Sequence, residues 1–154
     1  INTINKTIPH ACIGVDVIVG FPGESDEHFN ETVNFIKSLK VSYLHVFSYS
    51  ERENTEAKNM NGHIDVKKKK LRSQILRNLS DKKRQSFYQD NIGKTYNVLF
   101  ENQDKHGYIY GFTENYIKIR SKYKPNMQNS LKKVKINKIE YNTLAYGTGQ
   151  IINT

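Results

Sequence analysis

Val15-Asp16-Val17-Ile18-Val19-Gly20-Phe21-Pro22-Gly23-Glu24-Ser25-Asp26-Glu27 is the stretch that decides how the first half of this chain folds. The β-branched run Val15 to Val19 predicts a short buried strand with one acid inside it. Gly20 to Gly23 breaks that strand: the glycines free the backbone and Pro22 stiffens the turn. Ser25 is placed to cap a helix whose first turn holds Asp26 and Glu27, where carboxylates meet the positive helix end. Phe29, Val33 and Ile36 then recur at helical spacing, with Phe35 and Leu39 widening the stripe. A second strand is expected from Tyr43 to Tyr49. Strand, helix, strand in about 35 residues is a βαβ unit, which builds a parallel sheet. Ligands of such sheets sit at the carboxyl ends of the strands. The Gly20 turn alone fits a ligand site or a plain tight connection, and both readings stand at this point.

Downstream, Glu51 to Gly62 reads as a polar loop. Asp65 is placed to cap a long helix running to Asn91, with a stripe of Leu71, Ile75 and Leu79, Leu76 beside it and Phe87 two turns on. Lys67 to Lys70 and Lys82 to Arg84 lie mostly off that stripe, as a solvated face or an anion-binding one. After Gly93 the texture changes to short strand-like runs: Tyr96 to Phe100, Tyr108 to Phe112, Tyr116 to Ile119, Lys133 to Ile139 and Leu144 to Ile152. Five short strands in about 60 residues predict a small closed OB-like barrel. The expected organisation is α/β plus all-β, with domains at residues 1–92 and 93–154.

The formal net charge of +9 is unevenly spread. Five basic residues face eight acids from Ile1 to His63, nine face one from Lys67 to Arg84, and ten face four from Lys94 to Thr154. A basic remainder behind a mildly acidic start points to a polyanion, RNA or DNA first. The chain opens at Ile1 in a polar stretch to Thr7 without capping logic, which reads as a cut from something longer. No apolar run reaches the ~20 residues a membrane helix needs. One cysteine, Cys12, permits no internal disulfide and fits a reducing cytoplasm. The histidines show no metal-ligand spacing.

Three segments carry a family resemblance. Gly14 to Glu24 closely resembles the fifth strand and following turn of radical-SAM barrels, most of all those of the methylthiotransferases. Leu44-His45-Val46-Phe47-Ser48-Tyr49-Ser50-Glu51-Arg52-Glu53-Asn54-Thr55 resembles that family's sixth strand. Ser48 stands there for the usual proline and Asn54 for the usual glycine. Asn tolerates a left-handed conformation, so the turn is expected to survive. Gly111 to Ile119 resembles a segment of the TRAM domain that ends these proteins. Taken together, the matches resemble a C-terminal fragment of a MiaB-like radical-SAM tRNA methylthiotransferase, most similar to the threonylcarbamoyladenosine branch.

The resemblance implies the last part of a partial TIM-like radical-SAM barrel followed by a TRAM RNA-binding barrel. It implies an enzyme that inserts a methylthio group into a modified adenosine beside the tRNA anticodon. Its cofactors would be S-adenosylmethionine and [4Fe–4S] clusters, and its partners tRNA and the missing N-terminal part of the same enzyme, with no membrane. Ile18 would pack on the adenine, Gly20 would give it room, Phe47 and Tyr49 would line the barrel, and Arg52 would meet an anionic group at its mouth. Ile18, Phe47 and Tyr49 also suit ordinary core, and Arg52 a surface pair with Glu51 or Glu53. A three-thiolate cluster loop cannot be built from Cys12 alone, so this chain by itself is expected to be inactive.

The C-terminal barrel can act without a cluster. Its tyrosines alternate with cations, as an RNA surface requires. Strand alternation predicts Tyr108, Tyr110 and Phe112 in the core. Tyr116, Lys118 and Arg120 are the RNA candidates, with Lys132, Lys133, Lys135 and Lys138 adding a second basic strand. Rival readings are an RNA-binding module without catalysis, or another radical-SAM enzyme sharing the Gly-Phe-Pro-Gly-Glu turn.

Overall fold

A computed structural model describes residues 1–104, 106–141 and 145–152. They fall into two compact units, Ile1–Lys83 and Arg84–Thr154.

The first unit opens with a short helix, α1 (Asn2–Thr7), where only a polar stretch was expected. Strands β1 (Gly14–Val19) and β2 (Tyr43–Ser48) pair in parallel through α2 (Asp26–Ser38). Ser25 caps α2 as predicted: its hydroxyl accepts from the His28 amide at 3.1 Å, and His28 Nδ1 accepts from the Ser25 amide at 3.4 Å. Histidine thus takes the capping-box place usual for Glu or Gln. Phe29, Val33 and Ile36 are buried with Val19, Val41, Leu44 and Leu76.

Two expectations fail here, because α2 and the sheet are each covered on one face only. Phe35 points to solvent instead of widening the stripe. The strand Val15 to Val19 is not buried on both sides; Gly14, Asp16 and Ile18 are exposed, while Val15, Val17 and Val19 face the core. The acid in the strand therefore costs no buried charge.

Helix α3 (Val66–Gln89) runs from the first unit into the second. Asp65 Oδ1 accepts from the Lys67 and Lys68 amides at 2.8 and 3.4 Å, the expected cap. The predicted stripe is rotated, however. Leu71 and Ile75 are exposed, and the buried line is Arg72, Leu76 and Ser80 with Ser73 beside it. Arg72 ends in an ion pair, and the Ser80 hydroxyl bridges the backbone of Leu44, accepting its N–H at 2.8 Å and donating to its carbonyl at 3.0 Å. Lys83 Nζ donates to the Leu39 carbonyl at 2.6 Å, satisfying the end of α2.

The second unit is a closed barrel of β3 (Thr95–Gln103), β4 (Tyr108–Thr113), β5 (Lys118–Lys122), β6 (Ser130–Tyr141) and β7 (Ala145–Ile151), in the order β3-β4-β5-β7-β6. Only the β5–β7 pair is parallel. Leu144, expected in the last strand, lies outside the described residues. The core holds Val98, Phe100, Ile109, Ile117, Ile119, Val134 and Ile136, and takes in Tyr88 from the last turns of α3. Strand β4 has the phase opposite to that predicted: Ile109, Gly111 and Thr113 are buried, whereas Tyr108 and Tyr110 are half-buried and Phe112 is exposed. Gly111 explains the inversion. A Cβ there would stand 2.2 Å from the Leu99 carbonyl oxygen, so the glycine marks the crowded inner row and the aromatics go outside. The expected strand start at Tyr116 is also displaced: Tyr116 has φ +61° and belongs to the turn before β5.

Candidate cofactor and RNA surfaces

On the uncovered face of the β1–β2 sheet, Ile18 and Phe47 are cross-strand partners and remain 58% and 53% exposed. Asp16 and His45 form the neighbouring pair of that row. Side-by-side exposed apolar groups beside a glycine turn suit the flat face of a base. Gly20 has φ +78°, and its amide donates to Glu24 Oε2 at 2.6 Å. A Cβ on Gly20 would meet Lys69 Cγ at 2.5 Å, so the turn is packed from the α3 side.

The carboxylate that closes this turn is itself held by Arg72. Arg72 Nη1 donates to Glu24 Oε2 at 2.6 Å and to the Glu24 carbonyl at 3.0 Å, and Nη2 donates to Asp26 Oδ1 at 2.7 Å. Lys68 adds a second cation on Asp26 at 2.8 Å. Lys68 first and Arg72 next hold the Asp26 carboxyl below its ordinary range. Sequence reasoning missed Arg72 because it reads as one more cation in a basic run.

Tyr49 follows β2. Its amide donates to the Val19 carbonyl at 2.8 Å, its ring meets Phe21 edge-on at 5.3 Å, and Lys69 Nζ lies 5.3 Å from its centroid. Its hydroxyl is buried and has no hydrogen-bond partner among the described residues. Arg52 is exposed beyond the strand end. The acids beside it are engaged elsewhere, Glu51 with His63 at 3.4 Å and Glu53 with Lys58 at 2.7 Å. Asn54 adopts φ +61°, so the turn survives the loss of glycine as expected.

On the barrel, the turn Thr113 to Ile117 explains its own sequence. The buried Thr113 hydroxyl donates to Asn115 Oδ1 at 2.7 Å and accepts from the Ile117 amide at 2.8 Å. Asn115 Nδ2 reaches Asn91 Oδ1 at 3.5 Å, which also accepts from the Tyr96 hydroxyl at 2.5 Å. These polar groups fix the turn and leave Tyr116 72% exposed, its ring 6.5 Å from that of Phe112.

Lys118 and Arg120 do share the outer face of β5, as alternation predicted, but they differ in kind. The Arg120 guanidinium lies 4.5 Å from the Tyr108 ring and 4.3 Å from the Tyr146 ring, and pairs with Glu140 at 2.9 Å. Its charge is already balanced. Lys118 Nζ stands 5.0 Å over the Tyr110 ring, with no acid paired to it among the described residues. On β6, Lys133 and Lys135 point outward opposite Asn97 and Thr95, Lys138 follows a bulge and pairs loosely with Glu140 at 3.6 Å, and Lys132 is half-buried on the other row. The structure does not bring the two groups onto neighbouring strands, since β7 separates β5 from β6.

Among the described residues no group of three or more His, Cys, Asp or Glu could hold a metal ion, and Cys12 is the single thiol. Ile18 and Phe47 offer only apolar surface, and one thiol cannot supply the three thiolates of a cluster loop. No described helix is long and apolar enough to cross a membrane.

No protein-family model matches the chain. Curated proteins do. It is 43% identical over 120 residues, 78% of this chain and 28% of the relative, to a threonylcarbamoyladenosine tRNA methylthiotransferase of Aquifex aeolicus. It is 36% identical over 156 residues, 99% of this chain and 34% of the relative, to the protein of that name from Bacillus subtilis. A ribosomal protein uS12 methylthiotransferase of Clostridioides difficile is 37% identical over 114 residues, 74% of this chain and 26% of the relative. The chain belongs to the methylthiotransferase family these relatives represent. It spans about a third of their length or less, and the threonylcarbamoyladenosine tRNA enzymes are among those it is most similar to.

Proposed function

We propose that this chain is the C-terminal part of a cytoplasmic radical-SAM enzyme that methylthiolates threonylcarbamoyladenosine next to a tRNA anticodon. Residues 1–92 would complete the catalytic barrel, and residues 93–154 would be its TRAM domain. In this reading Ile18 and Phe47 bind the adenine of S-adenosylmethionine and Gly20 leaves room for it. Tyr49 and Arg52 border the same mouth, Arg52 offering its guanidinium to a carboxylate or phosphate. S-adenosylmethionine, with [4Fe–4S] clusters ligated outside this chain, would supply the radical and the methyl group. The chain's own residues bind and orient.

The barrel's part is to hold tRNA. The observation that carries this is the outward placement of Lys118, Lys133 and Lys135 on a closed barrel, none ion-paired to an acid among the described residues, with Tyr116 72% exposed for stacking on a base. Arg120 acts at one remove: balanced by Glu140 and held between two rings, it positions the Tyr108–Tyr146 surface beside Lys118. The RNA-binding module without catalysis remains the second reading, favoured by closure of the barrel on itself.

Fluorescence anisotropy with tRNA across a salt series tests the assignment. Replacing Lys118, Lys133 and Lys135 by Ala should weaken binding and flatten the log–log salt slope by about two to three. Replacing Lys37 and Lys40 on α2 should do little. The reverse pattern would make the barrel a packing domain rather than a tRNA reader.

A further inference from the structure

Helix α3 carries two classes of cation, and one of them has no assigned task. Lys68 and Arg72 are neutralised by Asp26 and Glu24. Lys69, Lys70 and Arg77 have no acidic partner among the described residues. These three line one groove of about 420 Å³ with Ser48, Tyr49, Val66, Ser73 and Gln74. No acid borders it. Two features mark it as built. Lys69 is pinned: its stem packs over Gly20, and its ammonium reaches the Tyr49 carbonyl at 3.4 Å and stands over the Tyr49 ring. Tyr49 lines the groove too, and its hydroxyl is buried with no hydrogen-bond partner among the described residues.

We infer that this groove is a second phosphate-binding surface, separate from the barrel, and that its occupant is the RNA backbone. Phosphate is the shared chemistry: unneutralised cations with hydroxyl and amide groups between them, and no competing carboxylate. The spread of the cations chooses between a free phosphate and a strand. Lys70 and Arg77 are seven residues apart on one helix, about 10 Å at 1.5 Å per residue. A single phosphate would need convergent donors; a strand, charged about every 3.4 Å of axis, uses a row of them. The inference takes its ligand, but not its location, from the tRNA reading above.

The test compares two double variants of the full chain that remove equal charge from the same helix. Lys70→Ala with Arg77→Ala alters the groove. Lys67→Ala with Lys82→Ala alters cations outside it. Each is measured for tRNA binding by anisotropy over a salt series, and for inorganic phosphate binding by calorimetry at matched ionic strength, with circular dichroism to confirm folding. The groove pair should lower tRNA affinity about tenfold or more and flatten the salt slope by about one and a half to two. The control pair should change the slope by less than half a unit. Equal effects from both pairs would overturn the inference, since only net charge would be acting. So would unchanged tRNA binding with loss of inorganic phosphate binding, which would assign the groove to a small phosphate ligand. Failure of the groove pair while the barrel lysines still control affinity would sink this inference alone. A wild-type chain that bound no tRNA would overturn both.

Discussion

Replacing Arg72 by Ala should unlatch the Gly20 turn. The side chain is 2% exposed and donates three hydrogen bonds, two to Glu24 and one to Asp26, while its guanidinium stacks 5.2 Å from the Phe29 ring. Removing one partner of a buried pair costs about 3–5 kcal/mol, because the other charge stays behind unpaired. Asp26 is 61% exposed, so solvent screens its share. The Glu24 half dominates, and the lower end, about 3 kcal/mol, is the expected loss. That corresponds to roughly a hundredfold increase in local opening. The readout is native-state hydrogen exchange at the Gly20 amide, which donates to Glu24 Oε2. Arg72→Lys should fall between, keeping the charge but losing the fork. Exchange at Gly20 within threefold of wild type in Arg72→Ala would refute the latch and leave Arg72 as ordinary packing.

Three further outcomes follow from the same contacts. A piece beginning at Arg84 should fold as a barrel, whereas one beginning at Lys94 loses Phe87 and the buried Tyr88, whose hydroxyl accepts from the Lys118 amide at 3.0 Å. The shorter piece should melt more than about 10 °C lower by circular dichroism, for a loss of roughly 3 kcal/mol. Asp104 accepts from the Tyr108 and His106 amides and the Tyr110 hydroxyl, and these, led by the Tyr108 amide, hold its carboxyl below the ordinary 3.8. Its contribution is present above 3.8 and disappears as pH falls through the lowered native value, so Asp104→Asn should destabilise the barrel at pH 6 and match wild type in strong acid. Anaerobic reconstitution of this chain should yield no stoichiometric [4Fe–4S] absorbance, since one thiol cannot supply three ligands.

Much of this architecture is written locally. The Ser25 cap, the Phe29–Val33–Ile36 stripe and the Asn54 turn each follow from a few adjacent residues whose preferences agree with the fold. What escaped the sequence depends on distant partners. The buried line of α3 runs through Arg72 and Ser80, whose Nη atoms and hydroxyl bond to Glu24, Asp26 and the Leu44 backbone, and hydrophobic periodicity therefore picked the wrong face. On β4 an alternation of aromatics with a glycine row has two phases, and only the approach of the Leu99 carbonyl to Gly111 chooses between them. The candidate RNA residues were found by type, but Arg120 could not be told from Lys118 until Glu140 and the two tyrosines were seen around it.

The most direct test of the central claim uses the longer enzyme proposed to contain this region. Wild type and the Lys118, Lys133, Lys135 triple alanine variant are assayed for methylthio incorporation into tRNA, read by mass spectrometry of the digested nucleosides. If the barrel holds tRNA and takes no part in the chemistry, KM for tRNA should rise at least tenfold while kcat stays within about twofold. A fall in kcat at unchanged KM would contradict the account and move these lysines from tRNA binding to the assembly of the active site.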